Sequence, residues 1–300
     1  LLTDYANDIL LDQELFQRIS QVFEQRAQLS LSPEQTTLLE KTYKSFVRNG
    51  AQLGESDAAT LRKLDQELAQ LSLQFGEHVL AETNKFVHFV DQMSELEGLP
   101  QGALEAAAQL AAEKGQEGQW AFTLDYPSYI PVMTYAQSRD LRKTLFMAFN
   151  TKCAKGDALD NQEIVRQLVT LKQQRAKLLG YESHAHFTLE ERMAKSPETV
   201  FEFLNSLLEK AKPKAALDVQ EVAALAKKLD QLEVLEKWDF AYYSEWLKKE
   251  KYALDEEELR PYFSLENVIS GVFATASRLY GLSFVANSEI HVYHPEVTAY

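Results

Sequence analysis

The histidines of this chain are the residues whose spacing bears most directly on catalysis. A protein zinc site needs several His, Cys, Asp or Glu side chains that converge on one point. The helical motif H-E-x-x-H achieves this by placing both imidazoles on one face, with the Glu beside the bound water. That motif is absent, since His78 follows Glu77 and the position four residues after His78 holds Glu82. The six histidines are His78, His88, His184, His186, His291 and His294.

The other histidine patterns separate their side chains. His184 and His186 are two residues apart at a predicted helix start, where such positions diverge. His291 and His294 are three residues apart on a predicted strand, where they point to opposite faces. His88 lies among Phe and Val residues and is expected to be packed or half-exposed. We therefore predict that no histidine binds a metal.

No other residue type forms a catalytic pattern. Cys153 stands alone, and its flanks, NTKCAKG, do not match a nucleophile motif, so we expect a small helical residue rather than a catalytic thiol. The chain has no G-x-S-x-G elbow, no phosphate-binding glycine loop and no G-x-G-x-x-G. Its many carboxylate pairs are typical of solvated helix faces. The chain is thus predicted to contain no catalytic, cofactor-binding or metal-binding residue.

Composition restricts the partners and the compartment. The formal net charge is −14, and the nearest basic run, KWDFAYYSEWLKKEKY, is interrupted by acids, which argues against nucleic acid and anionic lipid as partners. A single cysteine fits a reducing compartment. No apolar run approaches the roughly 18 residues that span a bilayer, and no signal segment is present. We expect a cytoplasmic protein, and the sequence leaves its oligomeric state open.

Helical periodicity dominates the chain. Three antiparallel helices are predicted in the first hundred residues, the second beginning with the capping box Ser32-Pro33-x-Gln35 and the third running from about Ser56 to about Phe89. Residues 94–118 predict a connection with one short helix. Later helices are predicted over 138–152 and over 161–179, the second of them capped by Gly180. Another is predicted to begin at Ser196, with a kink or break at Pro213. The last two are predicted over WDFAYYSEWLKKEKY and from Ser264 to Tyr280, where Gly281 ends the helix.

Two segments predict strands. WAFTLDYPSYIPVMTYA is rich in aromatic and β-branched residues, and its two prolines suggest two short strands, or a strand and a loop. It is the only strand-like segment before residue 282. The last segment, LSFV to EIHVYH, alternates like a strand. The fold class is therefore mainly α, multi-helical, with a few short β-strands.

Several segments resemble one family. KLLGYESHAHFTLEERMAKSPETVFEFL and KWDFAYYSEWLKKEKYALDEEELRPYFSLENVISGVFATASRLYGLSF are similar to stretches of the thimet oligopeptidase family of zinc metallopeptidases, and SRDLRKTLFMAF resembles a third. The match extends over essentially the whole chain, in order. The RPYF…LYGL segment is the most specific, because helix amphipathicity does not account for its residue types. The resemblance favours the oligopeptidase A and peptidyl-dipeptidase side of the family.

The resemblance implies a two-lobed, channel-forming peptidase of the zincin type that admits short peptides. It also implies a zinc ion held by H-E-F-G-H and a downstream Glu, with the motif's Glu as base and later Tyr and His residues at the oxyanion. All of these would lie C-terminal to the equivalent of Tyr300, so none is carried over. The expected organisation is an N-terminal helical region over 1–117 and the first part of the catalytic domain over 118–300.

These expectations define the leading hypothesis and its alternatives. The chain begins LLTDYAND and ends EVTAY within a predicted strand, so we expect a fragment of a longer enzyme, cut before the zinc-binding helix, inactive and without zinc by itself. The parent protein would hydrolyse short peptides with a metal-activated water. A helical binding scaffold or pseudo-peptidase without a catalytic role is the alternative. An unrelated helical repeat protein lacks any fixed period in its favour. The sequence leaves open whether dipeptides are removed or internal bonds are cut.

Overall fold

A computed structural model describes the backbone of residues 1–300 and every side chain except that of Glu256. Across this described part the chain forms twelve α-helices and one two-stranded sheet, so the prediction of a mainly α fold is confirmed. Short 3-10 turns lie at Arg26–Gln28, Met93–Leu96, Glu256–Glu258 and Arg260–Tyr262. No helix in the described residues has both the length and the apolar character needed to cross a membrane.

The N-terminal helices are α1 (Leu2–Leu10), α2 (Gln13–Glu24), α3 (Pro33–Arg48) and α4 (Glu55–Lys85). The capping box at Ser32 is confirmed: its side chain accepts from the Gln35 amide while the Gln35 side chain accepts from the Ser32 amide. Phe16 of α2 and Phe46 of α3 bury against each other with Ala51. Apolar faces at helical spacing thus pair α2 with α3 as predicted, whereas α4, the third predicted helix, packs mainly against α8 and α1. Helix α1 was not predicted from the sequence.

A short antiparallel sheet follows α4. Strand β1 (His88–Val90) pairs with β2 (Trp120–Phe122), with Phe89 opposite Ala121. The prediction that α4 extends to about Phe89 is therefore wrong. The prediction that the segment from Trp120 is the only strand-like one before residue 282 is wrong as well, because β1 precedes it. The run from Phe86 to Val90 is apolar enough for either state, and a distant partner strand decided it. Helix α5 (Gln101–Glu113) connects the strands and confirms the predicted short helix.

The aromatic segment after β2 is the second departure from prediction. It forms one strand and then helix α6 (Tyr126–Tyr135), not two strands or a strand and a loop. Pro127 stands in the first helical turn, where a proline is favoured, and Pro131 is tolerated within the helix. Tyr129, Val132 and Met133 of α6 are buried in the main core. Burial of these residues outweighs their strand propensity.

Helix α7 (Arg139–Asn150) completes the main core with Leu141 and Leu145. It is followed by α8 (Gln162–Leu178), α9 (His184–Leu189), α10 (Pro197–Asp230), α11 (Phe240–Tyr252) and α12 (Leu265–Tyr280). Gly180 and Gly281 have φ of 82° and 68°, so both predicted left-handed caps are confirmed. Helix α10 continues through Pro213, so the break, one of the two predicted alternatives, is wrong, and the kink stays a prediction. Because proline has no backbone N–H, the Glu209 carbonyl oxygen lacks its helical hydrogen-bond donor. Residue 209 is exposed, so water can donate to this oxygen instead.

The C-terminal segment 282–300 forms no strand in the described structure, which corrects the predicted strand at its histidines. Nearly all of its residues are exposed. Its alternating pattern has no partner strand among the described residues, and a strand without a partner leaves its backbone groups to water. Phe284 and Tyr300 do contact Phe273 of α12, with ring centroids 4.3 and 4.8 Å away.

Candidate functional site

A hydrolytic metal centre requires several metal-binding side chains that converge on one point. Among the described residues, no group of three or more His, Cys, Asp or Glu side chains is placed to hold a metal ion. The residues present therefore do not fit the ligand set of a zinc peptidase, and we assign no step of peptide hydrolysis to them.

The paired histidines of α9 serve the local fold. Ser183 caps the helix by accepting from the His186 amide, and the predicted helix start is confirmed. His186 lies between Glu182 and Glu198, at 3.6 and 3.7 Å. His184 points elsewhere, with burial and then the nearby cations lowering its pKa. The two imidazoles thus diverge, as their spacing predicts.

The other histidines are equally dispersed. His78 Nδ1 lies 2.9 Å from Asn161 Oδ1, and this contact joins α4 to the start of α8. His88 is half-buried in β1, where burial lowers its pKa. His291 and His294 lie in the exposed C-terminal segment.

Cys153 is buried, but not in a helix. It sits in the turn after α7 with φ of 54°, which corrects the expectation of a helical position. Burial raises the pKa of its thiol, and the Glu82 carboxylate adds to the effect. A thiol held protonated is a poor nucleophile. Glu82 itself pairs with Lys155, so this turn is tied to α4.

The most developed charged arrangement is a cluster of Arg139, Arg142 and Asp239, which we call the Asp239 cluster; Arg142 and Asp239 are buried and Arg139 is half-exposed. The Arg142 side chain is 1% exposed and that of Asp239 is 0% exposed. Arg142 Nη1 donates to the carbonyl oxygens of Ala136 at 2.6 Å and Gln137 at 3.0 Å. Its Nη2 donates to Asp239 Oδ1 at 3.1 Å.

Asp239 is shared by two guanidinium groups. Arg139 donates from Nε at 3.0 Å and from Nη2 at 2.8 Å, one to each carboxylate oxygen. The Glu236 amide donates to Oδ2 at 3.0 Å. Burial acts to raise the pKa of Asp239, but the hydrogen bonds from Arg139, Glu236 and Arg142 outweigh it and the pKa is lowered. The carboxylate is therefore held ionised in the interior.

The cluster joins α7 to the start of α11 across about a hundred residues of sequence. Arg142 Nε also donates to the Trp238 carbonyl oxygen at 3.2 Å, and its guanidinium lies 4.2 Å from the Tyr242 ring centroid. All these groups satisfy one another, so the arrangement positions helices rather than binding a substrate. Sequence reasoning missed this pairing. The available signal was Arg142, a charged residue on the same helical stripe as Leu141 and Leu145.

An apolar groove along α12 is one of several exposed apolar surfaces of the chain. It runs along α12 and the 3-10 turn Arg260–Tyr262, with a volume of about 600 Å³. No residue of α12 is buried. The groove carries no charged side chain among its described lining residues, so it offers no group for acid–base chemistry.

Comparison with known proteins gives a consistent result. A model of Peptidase family M3 matches residues 132–300. Dipeptidyl carboxypeptidase of Escherichia coli is 35% identical over 297 residues, which are 99% of this chain and 44% of that protein. Oligopeptidase A of Salmonella typhimurium is 31% identical over 301 residues, with the same two coverages of 99% and 44%. A probable cytosolic oligopeptidase A of Arabidopsis thaliana is 38% identical over 280 residues, 90% of this chain and 40% of that protein. The chain spans less than half the length of these relatives.

Proposed function

Because this chain belongs to peptidase family M3, we propose that it forms the first part of a zinc-dependent oligopeptidase that hydrolyses short peptides. The observation that carries the proposal is the similarity to two named peptidases over 99% of the chain. Bound zinc would supply a water activated for attack on a peptide carbonyl. The described residues hold no ligand set for it, so the role proposed for this part is structural: its helices form walls of a channel that excludes folded proteins.

The organisation and environment belong to the same proposal. Residues 1–117 are proposed to form the N-terminal helical region and residues 118–300 the first part of the catalytic domain. The two parts share the main core, in which Val90, Leu96 and Leu104 pack with Phe122 and Met133. A cytoplasmic location is proposed from the single cysteine and from the name of the cytosolic plant relative. Short peptides are the proposed substrates, with no role for nucleic acid or membrane.

The test compares the protein expressed from the complete gene with the chain 1–300. We expect the gene product to contain stoichiometric zinc by elemental analysis and to cleave an internally quenched peptide until a chelator is added. The chain 1–300 should do neither, and calorimetric titration should find no tight zinc site. Zinc-free gene product without peptidase activity would refute the enzyme and favour the binding scaffold or pseudo-peptidase.

The two kinds of named relatives suggest a second measurement. One carries the name dipeptidyl carboxypeptidase and the other oligopeptidase A. A matched pair of peptides, with a free or an amidated C-terminus, separates these activities. Release of dipeptides from the free form alone would indicate dipeptidyl carboxypeptidase activity. Internal cleavage of both forms would indicate an oligopeptidase.

A further inference from the structure

Helix α3 ends in an Asn-Gly pair, Asn49-Gly50, which is the one such pair in the sequence. In this pair the backbone nitrogen of the glycine can attack the side-chain carbonyl carbon of the asparagine, because glycine has no Cβ to hinder the approach. The bond from the Gly50 nitrogen to Asn49 Cγ forms, the bond from Cγ to Nδ2 breaks, and ammonia leaves with the proton of the Gly50 amide. Water then opens the cyclic imide at either carbonyl and gives aspartate or isoaspartate. The pair is therefore a candidate site of spontaneous deamidation.

The helix end requires the glycine of this pair. Gly50 is buried and has φ of 95°, a left-handed conformation that favours glycine after the last residue of a helix. A Cβ at this position would also lie 2.6 Å from Leu61 Cδ2 of α4. The fold therefore cannot exchange the glycine for a bulkier residue that would slow the reaction, and any protection has to come from the folded structure.

The attacking nitrogen is held by a Schellman motif. The Gly50 amide donates to the Val47 carbonyl oxygen at 3.2 Å. The Ala51 amide donates to the Phe46 carbonyl oxygen at 3.0 Å, and the side chains of these two residues are buried together. With ψ of 18° at Asn49, the Gly50 nitrogen points away from the Asn49 Cβ, whereas ring closure requires both on the same side. The native backbone thus keeps the nucleophile out of reach.

The carbonyl carbon that would be attacked is fixed as well. Asn49 Nδ2 donates to the Ser45 carbonyl oxygen at 2.9 Å, and Oδ1 accepts from Arg175 Nη2 at 3.2 Å. Arg175 of α8 is itself held by Asp65 of α4, with Nε 2.6 Å from Oδ1. The amide group therefore lies in a joint of three helices, α3, α4 and α8, and cannot turn toward Gly50 without breaking both of its hydrogen bonds.

We propose that Asn49-Gly50 is a deamidation site that the folded chain holds closed, so that modification follows only local opening of the end of α3. The products would make this opening permanent. Aspartate at position 49 keeps an acceptor for Arg175 but has no N–H to donate to Ser45. Isoaspartate adds a main-chain carbon within the Schellman motif and shifts its hydrogen-bonding groups out of register. The isoaspartate form should therefore close less stably than the unmodified chain.

The test measures deamidation at Asn49 by mass spectrometry of the peptide 45–63, which a lysine-specific protease releases and in which Asn49 is the only asparagine. The complete gene product is incubated in mildly alkaline buffer, once folded and once in urea, beside the synthetic peptide 45–63 as the unfolded reference. We expect the folded protein to react at least about tenfold more slowly than the peptide, because only its opened fraction can react. In urea the protein should match the peptide.

A pair of variants tests whether the hydrogen bonds at the helix end control the rate. Gln13 Nε2 of α2 donates to the Ala51 carbonyl oxygen at 3.0 Å, and Gln13→Ala removes this bond without touching the reacting atoms. Loss of one hydrogen bond should speed deamidation of the folded protein by roughly two- to tenfold. The matched control is Gln17→Ala, at an exposed position one turn further along α2, which should leave the rate unchanged.

Three results would overturn the proposal. The first is a folded protein that deamidates as fast as the peptide. The second is an equal rate in Q13A and Q17A. The third is an isoaspartate form, isolated by chromatography and refolded, with the melting temperature of the unmodified protein. None of these readouts depends on peptide cleavage, so an inactive gene product with a protected Asn49 would refute the proposed function alone.

Discussion

Removing the charge of Asp239 is expected to destabilise the chain strongly. In Asp239→Asn, either orientation of the amide turns an N–H toward a guanidinium, because both carboxylate oxygens accept from arginine in the native cluster. Arg142, whose side chain is 1% exposed, would keep its carbonyl partners but lose its counter-charge. Breaking a buried ion pair on one side costs about 3–5 kcal/mol, since the remaining charge stays desolvated.

This cost converts into a measurable shift. With an unfolding entropy of about 2 cal/mol/K per residue, a chain of this length that melts as one unit would lose about 5–8 °C in melting temperature. The assay is thermal unfolding followed by circular dichroism. Asp218→Asn is the matched control, because Asp218 pairs with Lys214 on the exposed surface at 2.7 Å and such pairs contribute little.

A double variant separates the charge from the packing. Arg142→Met with Asp239→Leu removes both buried charges and leaves the half-exposed Arg139 to water. We expect it to be more stable than D239N, because no uncompensated charge remains inside. A D239N melting temperature within about 1 °C of that of D218N would refute the reasoning, since it would show that the cluster is not an energetic link between α7 and α11.

Three further predictions concern pH, backbone and thiol chemistry. The pKa of Asp239 is lowered from 3.8 in the folded chain. The ionised carboxylate therefore contributes fully to the folding stability above about pH 3.8, and this stabilisation is lost as the pH falls through the lower pKa of the folded state. The melting-temperature difference between wild type and D239N should therefore shrink below about pH 4; a constant difference down to pH 2 would contradict it. Gly98→Ala should destabilise by at least about 1–2 kcal/mol in urea unfolding, because left-handed backbone disfavours a Cβ. Here φ is 88° and the Cβ would lie 2.3 Å from the Tyr135 carbonyl oxygen. The control is Gly76→Ala in the interior of α4, where an added Cβ would meet no other atom within 4 Å. This variant should stabilise the chain by about 0.5–1 kcal/mol. Equal effects of the two substitutions would argue against strain at Gly98. Cys153 should react with a thiol reagent at least about tenfold more slowly in the native chain than in urea, and equal rates would show that its turn opens freely.

Sequence alone determined most of the helices and the family. Local signals such as the Ser32 capping box, the Gly180 and Gly281 caps and the amphipathic stripes specify helices without reference to distant residues. The resemblance to the peptidase family is confirmed by the match over residues 132–300. The motif that carries it most specifically, RPYF…LYGL, lies along the apolar groove beside α12, where Tyr262 and Leu279 are exposed.

Tertiary structure decided what local signals leave ambiguous. Residues 88–90 became a strand only because 120–122 pair with them, and α6 became a helix because Tyr129, Val132 and Met133 bury in the main core. The Asp239 cluster joins residues about a hundred positions apart, so no spacing rule could reveal it. Conversely, the alternating segment after Gly281 has no partner among the described residues and stays irregular. Helix signals are local because each helix bonds to itself, whereas strands and buried ion pairs need partners that only the folded chain supplies.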